Sequence, residues 1–185
     1  MFETDPLPPA MREAALRTGT PRVPCWDGKT NMAWVRHDGG RADTGRRGTG
    51  GDCVTRAIAI ATGQPYEAVY AALKDAALTE RPRKGRKRSS VANGVKHATI
   101  RRFMASLGWT WVPTMGIGTG TTVTLCEDDL PMGRLIVSVS KHLTCVIDRV
   151  IHDTADPSRG DIVTEPGKPK RISRRCVYGY FHKPS

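Results

Sequence analysis

The sequence predicts an α+β domain in which helices come first and pack on an antiparallel β-sheet built by the later part of the chain. Apolar residues follow a helical period between residues 52 and 108, and short runs rich in Val and Ile, separated by few residues, dominate after that. Helices followed by consecutive strands are typical of this class, because short connections favour antiparallel pairing.

Size and charge limit the function classes. The 185 residues suffice for one domain with a core, and we divide them into an N-terminal extension over 1–50 and a domain over 51–185. The 29 Lys and Arg against 18 acidic residues give a net charge of +11, which favours a polyanionic partner or serves solubility alone. We expect a cytoplasmic protein without a membrane partner, because the sequence has no long apolar run and no basic-then-apolar leader.

The N-terminal extension is predicted to be rich in loops. "REAALRTG" predicts a short helix, and "WDGKTNMAWVRHDGG" predicts a hairpin with Asp27-Gly28 as its turn and "MAWVRH" as a strand. The glycine-rich stretch "RADTGRRGTGG" then leads to Cys53.

Three helices are predicted next. The first runs from an Asp52 N-cap to Gly63, the second is "GQPYEAVYAALKDAALTE" with Pro65 in its first turn, and the third is "VKHATIRRFMASLG", closed by Gly108. The segment between the last two, over 80–94, contains "RPRKGRKRSSVANG" and is predicted to be a mobile basic loop.

The remaining apolar runs predict short strands: "WTWVP", "RLIVSVS", "LTCVID", "VIHDT" and "RCVYGYF". "TEPGKPKRIS" is predicted to be the loop before the last strand, because Pro, Lys and Gly interrupt any pattern.

Cysteine usage points to one chemical candidate. The five cysteines are Cys25, Cys53, Cys126, Cys145 and Cys176. Their odd number and the lack of a CxxC pair argue against a disulfide scaffold and a zinc ribbon, so most should be small core residues. Cys53 differs because it heads a helix, where unpaired N–H groups and the helix dipole stabilise a thiolate; the alternative is an inert core cysteine.

A register test brings a histidine and an acid together further along the chain. If Asp148-Arg149 is a two-residue turn, Ile147 pairs with Val150, Cys145 with His152, and Thr144 with Asp153. His142 and Asp153 then become diagonal neighbours within reach of a hydrogen bond, whereas a slip of one residue would favour Asp156.

The same register pairs Cys145 with His152 on the opposite face. Packing is one interpretation of this pair, and a metal site with another cysteine is the other, although ligand spacing is lacking.

A cysteine heading a buried helix, followed by a histidine and an aspartate on an antiparallel sheet, resembles the papain-like cysteine peptidase superfamily, especially its compact bacteriocin-processing peptidases. "GDCVTRAIAIATGQPYEAVY", "LGWTWVPTM" and "LPMGRLIVSVSKHLTCVIDRVIHDTADPS" are also similar to uncharacterised papain-fold proteins of bacteriophages. The resemblance implies that Cys53 is the nucleophile, His142 the general base and then acid, and Asp153 the orienting carboxylate.

The resemblance further implies a thiol-dependent hydrolase or acyltransferase that acts on a peptide, isopeptide or other amide bond without a cofactor, in the host cytoplasm if the chain is phage-encoded. Hydrolysis, deamidation and amine transfer use the same triad. One feature departs from the family pattern: "RRGTGGD" contains no Gln or Asn before the cysteine. The backbone N–H of Cys53 is then one oxyanion donor, and Thr49, Arg47 or a glycine-loop amide is the candidate second donor.

The alternative function is that of a basic nucleic-acid-binding protein on an inactive papain-like scaffold, or an enzyme brought to nucleic acid by its basic loop. The loop residues that would contact phosphates are Arg81, Arg83, Lys84, Arg86, Lys87 and Arg88. Trp109 and Trp111 alternate with polar residues and would either stack on bases or be buried against the helices.

Overall fold

The helices lie close to their predicted positions. The computed structural model describes residues 29, 31–46, 51–81, 87–116, 118, 120, 122–158, 161–163 and 171–184, and for 161–163 and 171–173 it describes the backbone alone. Within this part, α1 spans Cys53–Thr62, α2 spans Tyr66–Leu78 and α3 spans His97–Ser106. A short 3-10 turn covers Ala42–Thr44. Helix α1 ends as predicted at Gly63, which adopts a left-handed φ of 71° and donates its N–H to Ala59.

Pro65 corrects one detail of the helix prediction. It precedes the first turn of α2 as the N-cap residue, with an extended ψ of 138°. Nearly all of α1 is buried, in keeping with its small apolar side chains, so this helix forms the centre of the fold.

The main sheet has six strands in the order β1-β5-β4-β3-β8-β2. Their bounds are Ala33–Arg36 (β1), Thr110–Pro113 (β2), Arg134–Val139 (β3), His142–Ile147 (β4), Val150–Asp153 (β5) and Val177–His182 (β8). The α+β class is confirmed, but the prediction of a purely antiparallel sheet is wrong at one edge, where β1 pairs in parallel with β5. The strand predicted in "MAWVRH" is therefore present. The predicted turn at Asp27-Gly28 and the predicted helix in "REAALRTG" lie outside the described residues.

A second, two-stranded ribbon consists of β6, Asp161–Val163, and β7, Arg171–Ser173. The prediction that 164–173 is a loop is wrong for its last three residues, because a strand of three residues is too short to show a periodic pattern.

Apolar side chains fill both faces of the main sheet. On one face, β3, β4 and β8 contribute Ile136, Cys145 and Phe181 to a core with α1 and with Trp109, which is buried. On the other face, Leu135 and Val146 belong to a second core. Because both faces of the sheet are covered, the sequences of the strands are nearly continuous runs of apolar residues.

A close contact between neighbouring strands fixes the position of Trp111. A Cβ atom at Gly179 would lie 2.3 Å from Trp111 Cζ2 and 2.6 Å from the Val112 carbonyl oxygen. The indole ring therefore lies directly against the backbone of β8, which leaves room only for glycine at position 179. No helix of the described residues is long and apolar enough to cross a bilayer.

Candidate active site

The hairpin formed by β4 and β5 sets the position of the acid. Asp148 and Arg149 both have left-handed φ angles, 48° and 64°, as a two-residue hairpin turn requires. The predicted pairs Ile147–Val150 and Cys145–His152 are confirmed. The ladder ends there, one pair short of the predicted Thr144–Asp153 pair.

At the end of this ladder, His142 and Asp153 meet. His142 Nε2 lies 2.6 Å from Asp153 Oδ2, and the backbone N–H of Thr154 donates to Asp153 Oδ1 at 2.7 Å. Asp153 is therefore the acid that contacts His142. The alternative acid, Asp156, accepts hydrogen bonds from the N–H and hydroxyl of Ser158.

Strand β1 fixes the backbone at the acid. The N–H of His37 donates to the Asp153 carbonyl at 2.9 Å, and the indole N–H of Trp34 donates to the same oxygen at 3.1 Å. The parallel edge strand, which comes from the predicted N-terminal extension, thus takes part in positioning the acid.

Cys53 is the first residue of α1. Asp52 lies at the N-cap position, as predicted, but its side chain does not cap the helix. The Asp52 side chain makes no capping hydrogen bond, and it accepts instead from Arg41 Nε at 2.7 Å and from the Tyr66 hydroxyl at 2.5 Å. The prediction of Asp52 as a side-chain cap is wrong, because buried tertiary partners outcompete the local N–H groups. The positive end of the helix dipole is left to act on the thiol.

His142 and the backbone N–H of Leu143 act on the thiol of Cys53, and all three residues line one cavity. Burial alone would raise the pKa of Cys53, but the interactions with His142 and with the Leu143 N–H outweigh it, and the pKa lies below its ordinary value. Because Nε2 of His142 faces Asp153, Nδ1 is the ring nitrogen left to face the thiol.

The pKa values of the histidine and the acid shift in the matching directions. Burial lowers the pKa of His142, yet its hydrogen bonds to Asp153 and Cys53 raise it to about 9. Burial raises the pKa of Asp153, but the hydrogen bond to His142 holds it below its ordinary value. These directions favour a thiolate beside an imidazolium that is oriented by a carboxylate.

Cys53 and His142 lie on the wall of a cavity of about 500 Å³. The cavity is mainly apolar, and Lys141 is the only Lys or Arg among the described residues that line it. Its other lining residues include Val54, Val95, Ile100, Trp111, Val139, Leu143 and Tyr178. The imidazole of His97, 4.5 Å from Trp111 between ring centroids, also lines it. An apolar cavity that opens on a reactive thiol is suited to a substrate side chain.

Of the predicted oxyanion donors, the backbone N–H of Cys53 lies at the start of α1, where it has no acceptor within the helix. Thr49 and Arg47 lie outside the described residues.

The other cysteines are placed differently. Cys126 and Cys145 are buried, and burial raises the pKa of both thiols. Cys145 pairs with His152 as predicted, and burial followed by the nearby charges of His37 and Arg134 lowers the pKa of His152 to about 4. No cluster of three or more potential metal ligands occurs in the described ranges. Cys25 lies outside them, and Cys176 is half-buried.

The ends of the basic loop are tied together by Glu80. This buried carboxylate accepts from the Ser89 N–H at 3.0 Å and from Lys96 Nζ at 2.9 Å, and also from the hydroxyls of Ser89 and Thr99. Arg81, Lys87 and Arg88 are exposed, whereas Arg83, Lys84 and Arg86 lie outside the described residues. Of the two interpretations of these tryptophans, base stacking or burial against the helices, Trp109 fits burial. Trp111 lines the cavity.

Comparison of the chain with protein-family models, curated proteins and solved structures finds no match. A functional assignment therefore depends on the geometry of the site.

Sequence reasoning did not identify Arg56 as part of this site. Its guanidinium lies beside Asp52 and Asp153. The sequence did contain a signal, because Arg56 is the single charged residue of the otherwise apolar α1.

Proposed function

We propose that the chain is a thiol-dependent hydrolase or acyltransferase that acts on a peptide or other amide bond through Cys53, His142 and Asp153. One observation carries the proposal. A thiol at the start of a buried helix lines the same apolar cavity as a histidine, and Nε2 of that histidine lies 2.6 Å from a buried carboxylate.

Each side chain has a defined step in this reaction. The Cys53 thiolate attacks the carbonyl carbon and forms a C–S bond, and the protonated His142 gives its proton to the leaving nitrogen as the C–N bond breaks. His142 then takes a proton from water or an amine, which attacks the thioester and releases the thiol. Asp153 keeps the imidazole oriented and stabilises its charged form.

The helix start supplies part of the oxyanion stabilisation. The backbone N–H of Cys53 points away from the helical hydrogen-bond ladder, and a donor of this kind stabilises the negative charge of a tetrahedral intermediate.

We further propose a papain-like scaffold. It is supported by the order of the parts along the chain: a buried helix headed by the thiol, and then two adjacent strands that carry the histidine and the acid. The parallel edge strand β1 is an addition that the resemblance did not imply.

The test is acylation by an activated ester such as p-nitrophenyl acetate. We expect a rapid burst of one p-nitrophenolate per chain, followed by slower turnover as the thioester is hydrolysed. Cys53→Ser should abolish the burst and His142→Ala should slow it about 100-fold or more, while Cys176→Ser, the matched control at a half-buried cysteine, should leave it intact. A burst that survives in Cys53→Ser would contradict the proposal.

A second candidate function is supported by the position of the basic loop. The last residues of this loop, together with Val95, form a segment that packs against the start of α1: a Cβ atom at Gly51 would lie 3.1 Å from the Ala92 carbonyl oxygen. Gly94 and Val95 of this segment line the cavity. Exposed Arg81, Lys87 and Arg88 are therefore tethered near the candidate site, where they would hold a nucleic acid or a substrate bound to one.

A further inference from the structure

The guanidinium of Arg56 lies between two buried carboxylates. Its Nε is 3.2 Å from Asp52 Oδ1, its Nη1 is 3.8 Å from Asp153 Oδ1, and Nη1 also donates to the hydroxyl of Thr154. One side chain thus reaches two separate parts of the chain: Asp52, directly before α1, and Asp153 and Thr154, at the end of β5.

The surroundings of Arg56 are nearly closed to solvent. The side chains of Asp52, Asp153 and Arg56 are 4%, 7% and 12% exposed. Two carboxylates buried this deeply need a cation beside them, because a buried charge without a partner is strongly unfavourable. Asp52 accepts hydrogen bonds from Arg41 and from the Tyr66 hydroxyl, and Asp153 contacts His142. Arg56 differs from these partners because it lies within 4 Å of both acids.

Arg56 also joins the parts of the chain that carry the thiol and the acid. It lies one helical turn after Cys53 in α1, whereas Thr154 directly follows Asp153 at the end of β5. Oδ1 of Asp153 faces Arg56 and the Thr154 N–H, and this leaves Oδ2 aimed at His142.

We infer that Arg56 is a positioning residue that holds the Asp153 carboxylate in the orientation that His142 requires, and that it couples this orientation to the helix of the nucleophile. The inference rests on the proposed function for its catalytic meaning. Arg56 contacts neither the thiol nor a substrate in this role. It acts through Asp153, and its positive charge adds a smaller direct lowering of the Cys53 pKa.

Removal of Arg56 should therefore change the titration of Cys53 and not only the stability of the fold. Without the guanidinium, Oδ1 loses its cationic neighbour, the carboxylate can turn, and the imidazolium beside the thiol loses its support. A thiolate with a weaker imidazolium partner forms at higher pH.

The experiment compares the rate of Cys53 alkylation by iodoacetamide against pH in four proteins: the wild type, Arg56→Met, Arg56→Lys and Arg102→Met. Arg102→Met is the matched control, because Arg102 is also a helical arginine that donates to a threonine hydroxyl, that of Thr79 at 2.9 Å. Thermal unfolding of each protein is recorded alongside.

We expect Arg56→Met to move the acid limb of the profile up by about one pH unit, which is about a tenfold slower reaction on that limb. Arg56→Lys should move it part of the way, because an ammonium keeps the charge but cannot reach both carboxylates and Thr154 together. Arg102→Met should overlay the wild type, even where its melting temperature falls.

Unchanged profiles in the Arg56 variants would overturn the inference. If Arg56→Met does not fold, the Arg56→Lys profile decides in the same way. Failure of the proposed function looks different: the wild-type Cys53 would itself titrate as an ordinary thiol. If the acid limb of the wild type lies at low pH and the Arg56 variants have the same limb, the proposed function stands and only the role of Arg56 is contradicted.

Discussion

At the scale of single residues, the site depends on how Cys53 and His142 share a proton. The pKa of Cys53 lies below its ordinary value and that of His142 is raised to about 9. The thiolate–imidazolium pair is therefore present above the Cys53 pKa and is lost as pH rises through about 9, where the imidazolium gives up its proton. Activity should follow a bell whose basic limb belongs to His142.

Asp153→Asn tests the source of the raised histidine pKa. Asn has no charge to stabilise the imidazolium, so the midpoint of His142 in an NMR titration should fall from about 9 by one pH unit or more. The rate of ester acylation at neutral pH should fall at least about tenfold. Asp156→Asn, a matched change three residues along the chain, should leave both quantities as they are. A His142 midpoint that stays near the wild-type value in Asp153→Asn would contradict the assignment.

The residue scale also shows where sequence reasoning succeeds. The helix start at Cys53 and the contact between His142 and Asp153 were predictable because a helix start and a two-residue turn are local features, whereas the catalytic roles of the three residues stay a prediction. The N-cap position of Asp52 was predicted correctly, but its side-chain partners were not, and Arg56 was missed. The reason is that their partners come from distant parts of the chain: Arg41 and Tyr66 for Asp52, Asp153 and Thr154 for Arg56.

At the scale of elements, one carboxylate holds three segments together. Glu80 follows the end of α2, and its partners lie in the later part of the basic loop, at Ser89, and around the start of α3, at Lys96 and Thr99. These hydrogen bonds outweigh the effect of burial, which alone would raise the pKa of Glu80, and they lower it to about 2.

We expect Glu80→Gln to lower the free energy of unfolding by about 1–3 kcal/mol at pH 7, because charge-assisted hydrogen bonds are lost. A depressed carboxylate pKa stabilises the fold above the unfolded-state pKa, and this contribution disappears as pH falls from about 4.5 toward about 2. The gap between the melting temperatures of wild type and variant should thus narrow at acid pH. Glu67→Gln, which affects an exposed ion pair with Arg46, is the control and should change little. A gap that is constant with pH would count against this account of Glu80.

Helices and strands whose apolar residues follow a clear pattern were predicted well, and elements without such a pattern were not. The three helices and the five strand runs from "WTWVP" onward all correspond to elements of the structure. The parallel pairing of β1 with β5 could not be predicted from a local sequence pattern, because β5 lies far along the chain. Strand β7 was missed because its three residues are too few to show a pattern within the predicted loop.

At the scale of the whole molecule, the chain carries a net charge of +11. Exposed Arg81, Lys87 and Arg88 belong to a loop whose ends Glu80 holds together and whose return segment lines the cavity. A polyanion bound there would lie close to Cys53, which joins the two candidate functions in one molecule.

Neutralising this loop should weaken nucleic-acid binding and its dependence on salt. For the triple change of Arg81, Lys87 and Arg88 to Gln, the slope of log affinity against log salt for single-stranded DNA should fall by up to about 2, at roughly 0.7 per lost phosphate contact. Fluorescence polarisation of a labelled oligonucleotide measures it. The control changes Arg36, Lys74 and Arg101 to Gln, three exposed bases elsewhere. Equal slopes in the two triple variants would show that overall charge, and not the loop, sets binding.

The register of the β4–β5 hairpin has a practical consequence on its opposite side. Cys145 faces His152 there, and its thiol is fully buried and has a raised pKa. A reagent reaches such a thiol only when the sheet opens, so its rate of modification reports how often the molecule unfolds. One alkylation experiment, analysed peptide by peptide, thus measures two quantities in the same sample. Modification of Cys53 reports the reactivity of the candidate site, and modification of Cys145 reports the integrity of the fold.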